Sequence, residues 1–310
     1  MNIPSISAYI SKNNIKAAKL WIQGSQKDAF VENGSVYYKT PSGPANIFEK
    51  AKNEGKESCM SHWLENNILN ITYNPHMHNA PIRLVRDENK ISISAALSFY
   101  ESLADAPFSY TNPQTGATSR SKKTHSALAL EGIRQVWQDN IFYSDKNNYF
   151  GDYDFVEVNF NISTVANNSH LPHFKISIKE TGQPICMYNV FWKAGKKSLG
   201  PVSDIVLCNK FKAFGSKKIT PEWEESFKYQ AAHEFGHVLG LGDAYGGLTQ
   251  AEAPKTPAAL EEVPADEVMR SGWHSAKVYP NTIEMILEAF KTSALQKYDP
   301  GSHSAAIKTY

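Results

Sequence analysis

With 310 residues, 41% of them hydrophobic and 20% charged, the chain has the make-up of a folded globular protein with room for one large domain or two ordinary ones. Its 32 basic and 31 acidic side chains leave a net charge of +1, which excludes the broad basic field of a nucleic-acid-binding protein and any strongly acidic surface. Three cysteines, Cys59, Cys186 and Cys208, are an odd set without metal-ligand spacing, so neither a disulfide scaffold nor a cysteine-based zinc finger is expected, only buried thiols.

The opening stretch MNIPSISAYISKNNIKAAKLWIQ breaks every apolar run with polar residues and reads as no secretory leader. No segment reaches the apolar length of a membrane span. These features suit a cytosolic chain, export without a cleavable leader, or a chain already stripped of one. Residues 1–88 are rich in Lys and Asn and read as a separate N-terminal region. It is expected to hold an amphipathic helix over ISAYISKNNIKAAKLWI, a strand at SVYY, a turn at PSGP and a helix over IFEKAKN. Cys59, in KESCMSHW, could act as an inhibitory thiolate ligand, but its surroundings match no switch motif and an inert thiol is the expectation. His76 and His78, like His170 and His173, are read as loop residues, with a second metal as the alternative.

From residue 90 the texture changes. KISISAALSFY reads as a strand and residues 124–140 as an amphipathic helix. FVEVNFNIS, HFKISIKE, CMYNVFW and SDIVLCN then follow as strands, which implies one mixed sheet rather than alternating βαβ units. Between them, residues 144–155 (SDKNNYFGDYDF) are rich in oxygen ligands but carry the glycine out of EF-hand register. A solvated turn is expected there, with a structural Ca2+ as the alternative. Arg120, Lys122 and Lys123 read as a solvated basic run.

The next helix is expected to start with Thr220 as cap, Pro221 in first position and Glu222, Glu224 and Glu225 at the positive end of its dipole. Trp223, Phe227, Ala231, Phe235, Val238 and Leu239 fall on one broad apolar face. His233 and His237 lie at its margin, four residues apart and so one turn above each other, where both imidazoles can converge on one metal ion. Glu234, beside the first histidine, is placed to act as general base on a zinc-bound water. Two ligands do not hold a catalytic zinc; Gly240 is where the helix must stop for the chain to turn back beneath the metal, and Asp243 follows three residues later. The bland alternative is a buried helix with satisfied histidines.

HEFGHVLGLGD, of the form H-E-x-x-H-x-x-G-x-x-D, resembles the metzincin metallopeptidases, in the variant with Asp as third ligand found in snapalysin-like enzymes. Met269, in DEVMRSGW, resembles the methionine of that family's turn beneath the metal, with a core methionine as the plain alternative. The tyrosine that several members place two residues later is replaced by Ser271, so the oxyanion-side candidates are Tyr245, His274 and Tyr279.

The resemblance implies an α+β catalytic domain over residues 89–300, with a mixed, mostly parallel five-stranded sheet, a backing helix and an active-site helix. Its upper part would span 89–243 and its lower part, with the Met-turn, 244–300. Within it CMYNVFW would be the edge strand that pairs with extended substrate. Residues 248–267 read as an exposed loop, PNTIEMILEAFKTSAL as a final helix and 301–310 as a flexible tail. The implied activity is that of a monomeric endopeptidase with one catalytic Zn2+ and a protein or peptide substrate. The same pattern is similar to metallopeptidase domains of bacterial toxins and secreted effectors. Two alternatives are a zinc amidase or deformylase acting on a small substrate and a binding module in which zinc only staples the fold. An open cleft favours the peptidase, a closed pocket the amidase, and four protein ligands the staple.

Overall fold

The computed structural model describes residues 3–57, 60–65, 68–73, 82–87, 89–112, 114–143, 154–169, 173–182, 185–193, 196–211, 220–221, 223–244, 264, 266–270, 276–292, 296 and 298. The first elements are α1 (Ile3–Lys12), β1 (Ala17–Ile22), β2 (Ser25–Lys27), β3 (Ala29–Glu32), β4 (Ser35–Thr40), β5 (Gly43–Asn46), α2 (Ile47–Asn53), β6 (Met60–Glu65), β7 (Ile68–Tyr73) and β8 (Arg83–Asp87). There follow β9 (Lys90–Tyr100), β10 (Pro107–Thr111), β11 (Thr118–Thr124), α3 (His125–Val136), β12 (Asn140–Tyr143), β13 (Phe155–Thr164) and β14 (Phe174–Gly182). The last are β15 (Ile185–Lys193), β16 (Lys196–Phe211), β17 (Thr220–Pro221), α4 (Glu224–Val238) and α5 (Pro280–Thr292). The fold is α+β with a mixed sheet. Among the described residues no helix is long and apolar enough to cross a membrane.

β9 is the hub of the sheet. Its alternating buried positions, among them Ile91, Ile93, Ala95 and Leu97, point into the core while the intervening residues stay partly exposed. It pairs parallel with β13 from Lys90↔Glu157 to Leu97↔Thr164, and parallel with β14 from Leu97↔Phe174 to Tyr100↔Ser177. β14 runs parallel to β16, and β15 pairs antiparallel with β16 at the end of the sheet. β9 also pairs antiparallel with β8, and β8 leads through β6 and β7 to β1 and β2. Among the described residues the sheet joins twelve strands rather than the five expected: the N-terminal β1, β2, β6, β7 and β8 extend the same ladder, and β12 and β17 add short edges to β13 and β16.

Two cores form on this sheet. The smaller draws on α1, β4, α2 and β7, from Ile6 to Tyr73. The larger begins at Ile82 and Leu84 and takes in α3, α4, α5 and the segment around Val268 and Met269. Residues 1–88 are thus divided between the cores, since β8 packs with the larger one.

Several local expectations change. The helix foreseen over residues 6–22 stops at Lys12, and Ala17–Ile22 is a strand. Asn14 turns left-handed with φ 49°, and parallel pairing of β1 with β7 outweighs the helical period. Thr220 and Pro221 do not open α4; they pair with Lys210 and Phe211 of β16, and the helix begins after Trp223, which caps it without a side-chain bond. Trp223 leaves the apolar face: it is 42% exposed and meets Tyr110 edge-on. The helix over 124–140 ends at Val136, with Thr124 capping it through Ala127. Asn46 caps α2 by accepting from the Phe48 amide at 2.9 Å. Glu222, Cys59, His76, His78, His170, residues 144–153 of the expected solvated turn, most of 248–267 and the tail 301–310 lie outside the described residues.

α3 and α4 meet at backbone distance. A Cβ on Gly132 would stand 2.2 Å from the Lys228 carbonyl oxygen, so only glycine allows this approach. Gly132→Ala is expected to lower stability by about 1–3 kcal/mol through forced separation of the two helices. The midpoint of urea unfolding measures it.

Candidate metal centre

α4 carries the central residues and is buried on every side from Gln230 to Val238. The histidines are therefore not at the margin of an apolar face but inside the protein, among α3, the sheet and residues 241–244 and 266–269. Phe227 and Phe235, both fully buried, hold the helix to the core, each worth about 1.5–3 kcal/mol. Trp137, at the end of α3, donates its indole N–H to the Ala232 carbonyl at 2.8 Å and so grips α4 one residue before His233.

The helix stops as the glycine demands. Gly240 adopts φ 95°, its N–H bonds to the His237 carbonyl at 3.0 Å, and the Leu241 N–H bonds to the Gly236 carbonyl at 3.1 Å. This is a Schellman ending, closed by the buried Leu241 side chain. The reversal brings the Leu241 carbonyl back to His237, whose Nδ1 lies 2.8 Å from it. His233 is held differently. Its Nδ1 lies 2.8 Å from the carbonyl of Val268, thirty-five residues away.

With both Nδ1 atoms donating to carbonyls, the Nε2 atoms are the ones turned to the centre. Asp243 Oδ1 lies 3.2 Å from His233 Nε2 and 3.3 Å from His237 Nε2. Ligand atoms about 2.0–2.2 Å from a tetrahedral ion stand about 3.3–3.6 Å apart, and these two spacings lie at or just below the short end of that range. The ligand atoms of His233, Glu234 and His237 also lie within 4.8 Å of one another, which puts a second carboxylate beside the same point. Asp243 stands outside that group of three, but one of its oxygens hydrogen-bonds both imidazoles at nearly equal distance.

Without a metal the charges compensate one another. Burial alone would lower the two imidazoles. For His233 the hydrogen bond to Asp243, then the charges of Glu234 and Asp243, outweigh it and raise its pKa to about 9. His237 is raised too, chiefly by the charge of Asp243. Burial pushes Asp243 up, but the charge of His237 and hydrogen bonds from both rings hold it well below the usual carboxylate range.

Met269 is fully buried in the turn Glu267–Arg270, closed by the Arg270 N–H on the Glu267 carbonyl at 3.0 Å. It lies against α4: a Cβ on Gly236 would stand 2.2 Å from its Sδ. The Ala244 N–H donates to its carbonyl at 2.9 Å, tying the turn to the stretch that carries Asp243. His233, Glu234, His237, Asp243 and Met269 thus come together in one place. Tyr279 instead gives its hydroxyl to Asp266 at 2.6 Å and is pushed up to about 12, by burial first and by Asp266 second. Tyr245, Ser271 and His274 lie outside the described residues.

Sequence reasoning missed Trp137, the carbonyls of Leu241 and Val268, and Glu267. The only available signal was Gly240, whose forced turn dictates where the Leu241 carbonyl goes. No family model, curated protein or solved structure matches this chain.

Gly236 and Met269 should behave as one unit. Gly236→Ala is expected to cost about 1–3 kcal/mol, and adding Met269→Ala should cost less than it does alone, because it frees the space the new methyl needs. A double-mutant cycle from denaturant unfolding reads the coupling.

Proposed function

We propose that the chain is a zinc-dependent endopeptidase of metzincin type, with His233, His237 and Asp243 as zinc ligands and Glu234 as general base. The observation that carries this reading is the sharing of one Asp243 oxygen between two Nε2 atoms at 3.2 and 3.3 Å, with the Glu234 carboxylate close by. Zinc, when bound, supplies a Lewis acid that polarises the scissile carbonyl and makes water acidic enough to be activated near neutral pH. Asp243 brings one negative charge to that centre, whereas a third histidine would bring none.

Glu234 accepts a proton as the water oxygen adds to the carbonyl carbon, and passes it to the amide nitrogen as the C–N bond breaks. Among the described residues β15 ends the sheet, an edge to which an extended peptide can add, which supports a polypeptide over a small amide as substrate. The methionine turn under α4 supports the metzincin assignment, and a secreted toxin or effector is the biological setting we infer from the motif.

Replacing His233, His237 or Asp243 by Ala is expected to abolish stoichiometric zinc, read by elemental analysis of dialysed protein. Glu234→Gln should retain zinc while hydrolysis of a fluorogenic peptide library falls roughly 10²-fold or more. Near-normal turnover in Glu234→Gln would overturn the role of Glu234.

Because His233 is raised to about 9 in the metal-free protein, it is protonated at pH 7 and must lose that proton to bind an ion. Zinc binding at pH 7 is expected to release at least one proton per chain, since His237 is raised as well, and to weaken as pH falls. The same raised value means that, without metal, the His233 contribution to stability is complete below pH 6.5 and lost as pH rises through about 9. Calorimetry in buffers of different ionisation enthalpy counts the protons.

A further inference from the structure

The two imidazoles are held by unequal means. His237 leans on the Leu241 carbonyl, four residues ahead in the same helix ending, so the fold of α4 alone places its partner. His233 leans on the Val268 carbonyl, which belongs to a separate turn, held to the end of α4 by the Ala244 N–H on the Met269 carbonyl and by Met269 against Gly236. Those contacts fix where the turn lies; the direction of its one carbonyl needs a further restraint.

Glu267 is fully buried immediately before Val268, and its carboxylate gathers three donors. The Met269 N–H donates to Oε2 at 2.5 Å; the Thr282 hydroxyl and the Tyr298 hydroxyl donate to Oε1 at 3.1 and 3.0 Å. These donors come from the turn itself, from the first turn of α5 and from the C-terminal stretch. The bond to Met269 spans the Val268 peptide, so the carboxylate clamps the unit whose carbonyl faces His233. A buried carboxylate is costly unless paired or multiply hydrogen-bonded, and a core turn could be closed by apolar packing alone. Its presence here is explained if the orientation of one carbonyl matters.

We propose that Glu267 is a positioning residue: through the Glu267–Arg270 turn it holds the Val268 carbonyl on His233 Nδ1 and thereby fixes the direction in which His233 presents Nε2. The importance of that direction rests on the metal-site reading above, but the positioning itself is a property of the metal-free chain. Glu267 touches no reacting atom, and its action runs through main chain to one histidine.

The test uses the full chain with 15N-labelled histidine. In the metal-free protein, NMR follows the Nδ1–H of His233 and of His237 separately, with His237 as the internal control. Glu267→Ala is expected to accelerate exchange of the His233 Nδ1–H about tenfold or more while leaving that of His237 near its wild-type rate. Glu267→Gln, which keeps the volume and an acceptor for the Met269 N–H, should restore much of the protection. Zinc titration forms a second arm, with Glu267→Ala weakening binding about 10- to 100-fold.

Unchanged His233 exchange in folded Glu267→Ala overturns the proposal, and so does equal acceleration at both histidines, which would mark Glu267 as merely structural. If Glu267→Ala does not fold, Tyr298→Phe removes one donor at nearly constant volume, and a selective but smaller acceleration at His233 is then required. If the wild-type chain binds no zinc, the metal-site reading fails while the exchange measurements still decide the role of Glu267.

Discussion

Everything at the centre depends on two hydrogen bonds from histidine Nδ1 to main-chain carbonyls, 2.8 Å from His233 to Val268 and 2.8 Å from His237 to Leu241. An imidazole offers a lone pair on only one nitrogen when neutral, and a carbonyl acceptor on Nδ1 decides that it is Nε2. Once both rings are turned this way, a single oxygen of Asp243 can sit between them. Remove either carbonyl and the spacing of the three side chains becomes a matter of rotamer chance.

The carbonyls are placed by close backbone packing, and glycine is what permits it. Gly240, at φ 95°, ends α4 and sends Leu241 back toward His237, with Ala289 of α5 only 2.4 Å from where its Cβ would be. Gly236 opens the space for the Met269 thioether, which draws the Glu267–Arg270 turn against the helix and so brings the Val268 carbonyl to His233. Gly132 lets α3 touch α4, from where Trp137 holds the Ala232 carbonyl. These contacts leave little room for relaxation, as in any close-packed interior. The rigid setting offsets the cost of burying two imidazoles and two carboxylates, each less than a tenth exposed.

The parts of this arrangement that were legible in the sequence are the parts built locally. His233, Glu234 and His237 share a helix face, Gly240 must end that helix, and Asp243 follows within reach. All of this is carried by eleven consecutive residues, and β9, α2 and β13 were equally plain because their own patterns decide them. The rest turns on partners far away in the chain. Ala17–Ile22 reads as helix until β7 is there to pair with it, and Thr220–Pro221 reads as a cap until Lys210 and Phe211 claim it. Glu267 closes the stretch 248–267 that reads as an exposed loop, yet it is fully buried; Thr282 and Tyr298, brought from either end of α5, make it an anchor.

The central claim is that this chain holds its ligand set ready for one ion, with Asp243 and not Glu234 as the third ligand. Diffraction from zinc-soaked crystals, collected on both sides of the zinc absorption edge, tests it most directly. The account predicts one anomalous peak, with Nε2 of His233, Nε2 of His237 and a carboxylate oxygen of Asp243 each about 2.0–2.2 Å away and the Glu234 carboxylate not bound to it. A peak ligated by Glu234 with Asp243 turned aside, or no peak between the two histidines, would contradict it.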